Sequence, residues 1–211
     1  ALILTSGSFA SCSNSGAVSG TANIGGIYGG DNTKACTITS MTSCSNSGNI
    51  TATDSESRAG GIIGFIAEVT MSGCYNSATI TGNAATAGII GYLYGISTVT
   101  SCYTTSTSVV NGTNNVSGIV AYTFNGSYER NITKCYNQGK VNGTGGYVGG
   151  IVAYVATQVT VSECYNTGTI KDTGSSSMGV AGIVGWNSAG TVSKCYNTGS
   201  VSGVYAAVAG I

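Results

Sequence analysis

The sequence contains no proline and no histidine, and only 7% of its residues are charged. Its seven basic and seven acidic residues cancel in formal charge. Nucleic-acid binding requires a basic surface, so we expect no nucleic-acid partner. No apolar run approaches the roughly 18 residues of a membrane-spanning helix, so we expect no membrane span in this segment. The lack of histidine removes the usual general base of serine and cysteine nucleophiles.

The carboxylates do not form a catalytic pattern either. Enzymes that cleave glycosides require paired carboxyl groups. Here the acidic residues fall at unrelated places along the chain: Asp31, Asp54, Glu56, Glu68, Glu129, Glu163 and Asp172. We expect Glu129 and Arg130 to form a solvated loop pair. The sequence therefore predicts a protein that is not an enzyme and has no cofactor or metal site.

What the chain does contain is a repeat with a period of 28 to 33 residues, and such a period indicates stacked structural units. Seven cysteines mark it: Cys12, Cys44, Cys74, Cys102, Cys135, Cys164 and Cys195. Tyr-Asn or Ser-Asn follows the cysteine in most copies. A Gly-Ile-hydrophobic-small quartet lies about 14 residues before each cysteine after the first, beginning at Gly26 in a looser form and then at Gly61, Gly88, Gly118, Gly150 and Gly182.

Each copy contains three short apolar segments rich in β-branched residues and bounded by Gly, Asn, Ser or Thr, which is typical of strands. In one copy they are residues 150–155, 159–164 and 168–170. We predict an all-β parallel β-helix (β-solenoid) of roughly triangular section, with about 30 residues and three short strands per coil. Right-handed coiling is expected, as for other parallel crossovers. Residues 1–211 form one domain with a partial repeat at each end, and we expect a segment of a longer protein.

The spacing also predicts the corners of the coil. Val161 and Cys164 are three residues apart and can both point inward only if the chain bends at Ser162 and Glu163. The Asn-x-Gly after the cysteine predicts a second corner in which glycine takes a positive φ. Residues such as 173–178 should form a loop edge. Thr104 replaces the asparagine of its copy and one extra residue follows, so we expect an irregular corner there.

Stacked coils would turn sequence columns into ladders of like side chains. Besides the cysteine ladder, we predict an asparagine ladder of Asn14, Asn46, Asn76, Asn137, Asn166 and Asn197. A tyrosine ladder comprises Tyr75, Tyr103, Tyr136, Tyr165 and Tyr196. A second aromatic column comprises Phe65, Tyr92, Tyr122, Tyr154 and Trp186. The tyrosine ladder has two interpretations, namely stabilisation of an exposed face or a strip that binds sugars or a protein partner.

The cysteines also have alternatives. The zinc spacing C-x2-C is absent. Neighbouring rungs would place Cα atoms within disulfide range, but parallel side chains keep their Cβ atoms too far apart. The remaining interpretations are buried free thiols and a single bridge between Cys36 and Cys44.

The Gly-Ile-hydrophobic-Gly quartet followed by Cys-Tyr-Asn-x-Gly resembles the GLUG-type repeats of bacterial cell-surface and adhesin-like proteins, over roughly residues 25–211. Ala121 and Ala153 depart from the last glycine of the quartet. The resemblance implies an extracellular or cell-surface bacterial protein without a known catalytic activity. We expect a structural segment of a stalk or of a self-assembling fibre whose chains associate head to tail. The alternative is an adhesin module that binds glycans or host surface proteins through the tyrosines.

Overall fold

The structure, a computed structural model, describes residues 7–31, 37–204 and 206–211. Within these residues the regular secondary structure is entirely β, in short strands that pair in parallel with the equivalent strands of the neighbouring coils. The chain is a parallel β-solenoid of about 6 turns with about 31 residues per turn. The prediction of an all-β parallel solenoid is confirmed. Its handedness stays a prediction.

Five sheets, here named A to E in chain order within a coil, run along the solenoid. Sheet A alternates inward apolar and outward polar residues, as a half-buried strand should. Its strands are Ser8–Ala10, Thr37–Thr42, Glu68–Ser72, Ser97–Thr100, Arg130–Thr133, Val159–Ser162 and Thr191–Ser193. Sheet B has two residues per coil, and its strands are Ser13–Asn14, Ser45–Asn46, Tyr75–Asn76, Tyr103–Thr104, Tyr136–Asn137, Tyr165–Asn166 and Tyr196–Asn197.

Sheets C and D follow on the other side of the coil. Sheet C comprises Val18–Gly20, Ile50–Ala52, Thr79–Thr81, Val109–Gly112, Lys140–Gly143, Ile170–Asp172 and Val201–Gly203. Sheet D comprises Asn23–Gly25, Arg58–Gly60, Ala85–Ala87, Asn115–Ser117, Gly146–Gly149, Ser177–Ala181 and Ala207–Ala209.

Sheet E closes the coil and leads back to sheet A. Its five strands are Ile63–Ile66, Ile90–Leu93, Val120–Thr123, Val152–Val155 and Val184–Asn187. In the first coil, Tyr28 makes a single parallel bridge to Ile63 at the corresponding place.

The coil therefore has five strands rather than the three predicted. The three apolar segments correspond to sheets E, A and C. Sheet B escaped prediction because two residues are too short for a periodic pattern. Sheet D falls partly in the predicted loop edge, because strands such as Asn115–Ser117 carry small and polar residues instead of an apolar run.

The predicted bend before the cysteine is confirmed. Val161 and Cys164 are both fully buried, and Glu163 between them has a φ of 56°. The residue before each of the seven repeat cysteines has a positive φ, and six of these residues are not glycine: Ser11, Ser43, Ser101, Lys134, Glu163 and Lys194. A left-handed conformation costs about 1–2 kcal/mol for a residue with a Cβ. This backbone geometry thus recurs in every coil and directs the chain from sheet A into sheet B.

The interior is divided into two apolar columns instead of forming one triangular core. The larger column contains the cysteines and the inward residues of sheets A and E, such as Val161 and Val120. The smaller column contains inward residues of sheets C and D, such as Val141 and Val116. Between them lies a narrow waist, where the asparagine of sheet B faces the glycine that joins sheets D and E. The waist is the structural centre of the repeat.

Candidate functional site: the side-chain ladders

The asparagine ladder forms the polar side of the waist. Asn46, Asn76, Asn137 and Asn166 are fully buried. Each amide nitrogen donates to the carbonyl oxygen two residues ahead, as Asn166 Nδ2 does to Gly168 O at 3.0 Å. The same nitrogen donates to the side-chain oxygen of the next coil, at 2.8 Å from Asn46 to Asn76 and 2.6 Å from Asn137 to Asn166. All donors therefore point in the same direction along the solenoid.

The copy that lacks asparagine keeps the ladder continuous by other groups. Asn76 Nδ2 donates to Ser108 Oγ at 2.9 Å, and the Thr104 hydroxyl donates to Asn137 Oδ1. The extra residue of this copy is accommodated in a turn at residues 106–107, where Ser108 N donates to Thr105 O at 3.0 Å. The predicted irregular corner is confirmed, and Ser108 supplies the acceptor that the missing asparagine would have provided.

Glycine forms the other side of the waist. A Cβ atom on Gly150 would lie 2.0 Å from the carbonyl oxygen of Gly182 and 2.8 Å from Asn166 Cγ. The first glycine of the quartet meets the same two kinds of neighbour in the copies that begin at Gly26, Gly61, Gly118, Gly150 and Gly182. A Cβ atom on Gly88 would also meet a carbonyl oxygen, but the neighbouring side chain there is that of Thr104 instead of an asparagine. The two sequence signatures are thus two halves of one contact.

The glycine of Asn-x-Gly has a different role from the predicted one. Gly168 and Gly199 are not among the residues with positive φ. A Cβ on either would lie 1.9 Å from the equivalent carbonyl oxygen of the preceding coil, Gly139 O or Gly168 O. This position needs glycine because successive coils approach each other closely there.

The tyrosine ladder is a stack of five rings on sheet B. Neighbouring ring centroids are 4.7 to 5.2 Å apart and the ring planes differ by only 3 to 11°. The faces of the inner rings, Tyr103, Tyr136 and Tyr165, therefore cover one another. Solvent meets ring edges and hydroxyl groups, and a sugar could stack face to face only on Tyr75 or on Tyr196, which is 53% exposed. Whether the ladder binds a partner stays a prediction.

The second aromatic column lies on sheet E. Phe65, Tyr92, Tyr122 and Tyr154 stack with centroid distances of 4.8 to 5.3 Å, while Trp186 contacts the column through Tyr147. The Arg58 guanidinium lies 4.5 Å from the centroid of the Tyr92 ring, a cation–π contact that spacing alone did not reveal. Burial raises the pKa of Tyr92 to about 12.

The seven repeat cysteines are free thiols stacked through the larger core column. The inner five, Cys44 to Cys164, are fully buried, and the outer two, Cys12 and Cys195, are partly buried. Each sulfur points toward the carbonyl oxygen two residues before it, as Cys164 Sγ does to Ser162 O at 3.2 Å. Burial raises the pKa of the Cys135 thiol well above its ordinary value. Cys36, the other half of the bridge considered for Cys44, lies outside the described residues.

Arg130 contradicts its prediction as a solvated residue. It is fully buried, although its neighbour Glu129 is exposed. Its Nε and Nη2 donate to Tyr94 O at 3.1 and 2.9 Å, and Nη1 donates to Thr157 O at 3.4 Å. The alternation of sheet A could have indicated this, because Arg130 pairs in register with Val159 at an inward position. Its long side chain reaches carbonyl groups at the corner between sheets E and A.

Among the described residues, no group of three or more Cys, Asp or Glu side chains is placed to hold a metal ion. No helix long and apolar enough to cross a membrane occurs in the same residues.

One stretch of the chain matches a known protein family. Residues 176–202 match the family model described as the GLUG motif. The chain carries a GLUG repeat. The matched stretch contains the Gly182 quartet and the Cys195-Tyr196-Asn197 segment, so the motif spans both halves of the waist contact. The remaining coils repeat that contact outside the matched stretch. Comparisons with curated proteins and with solved structures find no match.

Taken together, the ladders and the GLUG repeat make this solenoid a structural repeat module. The asparagine, cysteine and tyrosine ladders stack the same side chain from coil to coil. These contacts hold adjacent coils together along the axis of the solenoid.

Proposed function

We propose that this chain is a non-catalytic structural segment of an extracellular bacterial surface stalk or self-assembling fibre. The observation that carries the proposal is the continuity of the asparagine ladder, whose hydrogen bonds link successive coils from Asn14 to Asn197 through Thr104 and Ser108. Such a ladder gives a rod whose length grows with the number of repeats. The resemblance to surface proteins supports the extracellular location.

The direction of the ladder favours head-to-tail association for the fibre. Asn14 Nδ2 donates to Asn46 Oδ1, and Asn166 Nδ2 donates to Asn197 Oδ1. A coil stacked beyond Asn197 would therefore meet an amide donor, and one stacked beneath Asn14 would meet a side-chain oxygen. These faces are complementary between copies in one orientation, which is the condition for an open, non-closing assembly.

Electron microscopy and sedimentation of the pure chain over a range of concentrations test this assembly. We expect filaments one coil wide whose length rises with concentration. The variant Asn197→Asp keeps the acceptor for Asn166 but removes the donor, so it should shorten the filaments. Monomers at every concentration would exclude the fibre and leave the stalk segment. Surface labelling of intact source cells with an antibody to the chain tests the location.

A second candidate is an adhesin module that binds glycans or host proteins. It is favoured by the row of tyrosine edges on sheet B, with Tyr196 more than half exposed. A glycan array that compares the wild type with a Tyr136→Ser, Tyr165→Ser double variant tests this strip. Loss of a wild-type signal would support adhesion, and an unchanged signal would exclude the strip as its site.

A further inference from the structure

One small residue in sheet D lies between two rungs with long side chains. In successive coils its column reads Asn23, Arg58, Ala85, Asn115, Tyr147, Gly179 and Ala207. Ala85 is flanked by Arg58 and Asn115, and the space beside it forms a cavity of about 140 Å³ between sheets D and E. The cavity thus lies where a rung with no side chain beyond Cβ is enclosed by longer side chains on both sides.

The walls of this cavity are held in place by other contacts. Arg58 lies over the Tyr92 ring, and its Nη1 donates to Asn23 Oδ1 at 3.5 Å. On the opposite side, Asn115 Nδ2 donates to Ala84 O at 3.3 Å. Tyr92 stacks on Tyr122 with a centroid distance of 5.0 Å. Side chains that are fixed before a ligand arrives lose little entropy on binding.

The lining combines groups that suit hydroxyl-rich ligands. Arg58 and Glu56 contribute opposite charges, Asn115 contributes an amide, and Ala84 and Ala85 form an apolar floor. Burial raises the pKa of Tyr92 to about 12 and also raises that of Tyr122, so both phenols are protonated at neutral pH. A protonated phenol can both donate and accept a hydrogen bond.

Size and charge narrow the ligand class. Pockets for drug-sized ligands start at about 300 Å³, so this cavity holds a single ring-sized group. Because the two lining charges have opposite sign, the ligand needs no net charge. We propose that the cavity binds one neutral hexopyranose residue of a glycan whose other residues remain in solvent. This inference rests on the adhesin candidate and moves glycan binding from the tyrosine ladder of sheet B to the groove between sheets D and E.

Saturation-transfer NMR with the whole chain tests the inference, because it detects weak binding of single sugars. The probes are the methyl glycosides of glucose, galactose, mannose and N-acetylglucosamine, with methyl glucuronide for comparison. Ala85→Asn extends the polar column and fills the cavity, Ala85→Val is the alternative if that variant does not fold, and Tyr165→Ser tests the competing strip on sheet B. We expect at least one neutral glycoside to give a signal that Ala85→Asn abolishes and Tyr165→Ser retains.

Three results would overturn the cavity as the site. One is a signal that survives filling at Ala85, and another is a signal confined to the glucuronide. The third is the absence of a signal from any neutral glycoside. A signal that survives Ala85→Asn but is lost in Tyr165→Ser would reject the cavity and keep the adhesin candidate. None of these results bears on filament formation, so failure here is distinguishable from failure of the structural proposal.

Discussion

Gly118 and Asn137 face each other across the waist, where a Cβ atom on Gly118 would lie 2.6 Å from Asn137 Cγ. Gly118 joins Val116 of the smaller core column to Ile119 of the larger one. Asn137 similarly lies between Cys135 and Val141. The two residues come from the two separate sequence signatures, and their contact sets the phase between them.

Substitution at this contact should destabilise the solenoid. Gly118→Ala would place its methyl group 2.3 Å from Gly150 O as well as against Asn137, and neither neighbour is a flexible side-chain end. We expect a loss of about 1–3 kcal/mol, the usual cost of overpacking. Gly16→Ala is the matched control, because its Cβ would meet only Asn14 Oδ1 at 3.8 Å. The urea concentration at the unfolding midpoint compares the stability of the two variants. Equal midpoints would contradict the interpretation of the waist as a close-packed contact.

Removal of an amide of the asparagine ladder should lower the stability of the fold more in the middle of the solenoid than near its end. Asn137→Ala removes the acceptor for Thr104 and the donor for Asn166 in a fully buried setting. Leaving such partners unsatisfied costs about 1–3 kcal/mol. Asn14→Ala breaks one coil-to-coil bond in a partly buried setting and should cost less. Thermal melting of the two variants compares them, and a larger effect at Asn14 would argue against the ladder as the stabilising element.

The left-handed residue before the cysteine offers a stabilising change. Lys134 has a φ of 56°, which glycine adopts without the Cβ penalty. We expect Lys134→Gly to raise stability by about 1 kcal/mol. Thr133→Gly, one residue earlier in a sheet A strand, should lower it by about 0.5–1 kcal/mol. The melting temperatures of the two variants test this prediction. Destabilisation by both substitutions would show that the Lys134 side chain adds more stability than its left-handed backbone conformation removes.

The repeat, the parallel stacking and the bend at Glu163 could be predicted because each leaves a periodic trace in the sequence. The waist could not, since the contact between Gly118 and Asn137 joins residues 19 positions apart, and the turn after the cysteine already explains the asparagine locally. The division into two core columns follows from that contact. Burial of Arg130 was missed because a charged residue beside Glu129 looks solvated until its register with Val159 is known.

The order of the stacked rings was predicted correctly from the sequence. Its consequence for ligand binding, that neighbouring rings cover each other's faces, was not predicted. Sequence columns place Tyr136 over Tyr165, yet they do not say that the two ring planes lie within 3° of each other. Coil spacing dictates this, because rings one rung apart fit only face to face. The cavity at Ala85 was equally invisible, since a small residue in a column says nothing about the size of its neighbours.

Alkaline pH should destabilise the protein through Tyr92. Its pKa is raised to about 12 in the folded chain, mainly by burial, above the ordinary value of 10. The folded state therefore holds the phenolic proton more tightly than the unfolded state, and the resulting stability is present below pH 10 and lost as pH rises through about 12. Tyr92→Phe, which repeats the Phe65 found one coil earlier in the same column, should lose less stability over this interval. Parallel denaturation curves at rising pH would test it, and identical pH dependence in the two proteins would contradict the assignment.

Thiol reactivity should report the position of each cysteine in the ladder. Alkylation requires the thiolate and access to the sulfur. Cys44 and Cys135 are fully buried and their pKa is raised by that burial, so they should resist reagent until the coils open. Cys12 and Cys195 are only partly buried and should be labelled first in the native protein. Peptide mapping by mass spectrometry after brief treatment with a maleimide resolves the sites, including Cys36. Denatured protein serves as the control in which all of the thiols should react, and early native labelling of Cys135 would show that the core column opens far more readily than its packing implies.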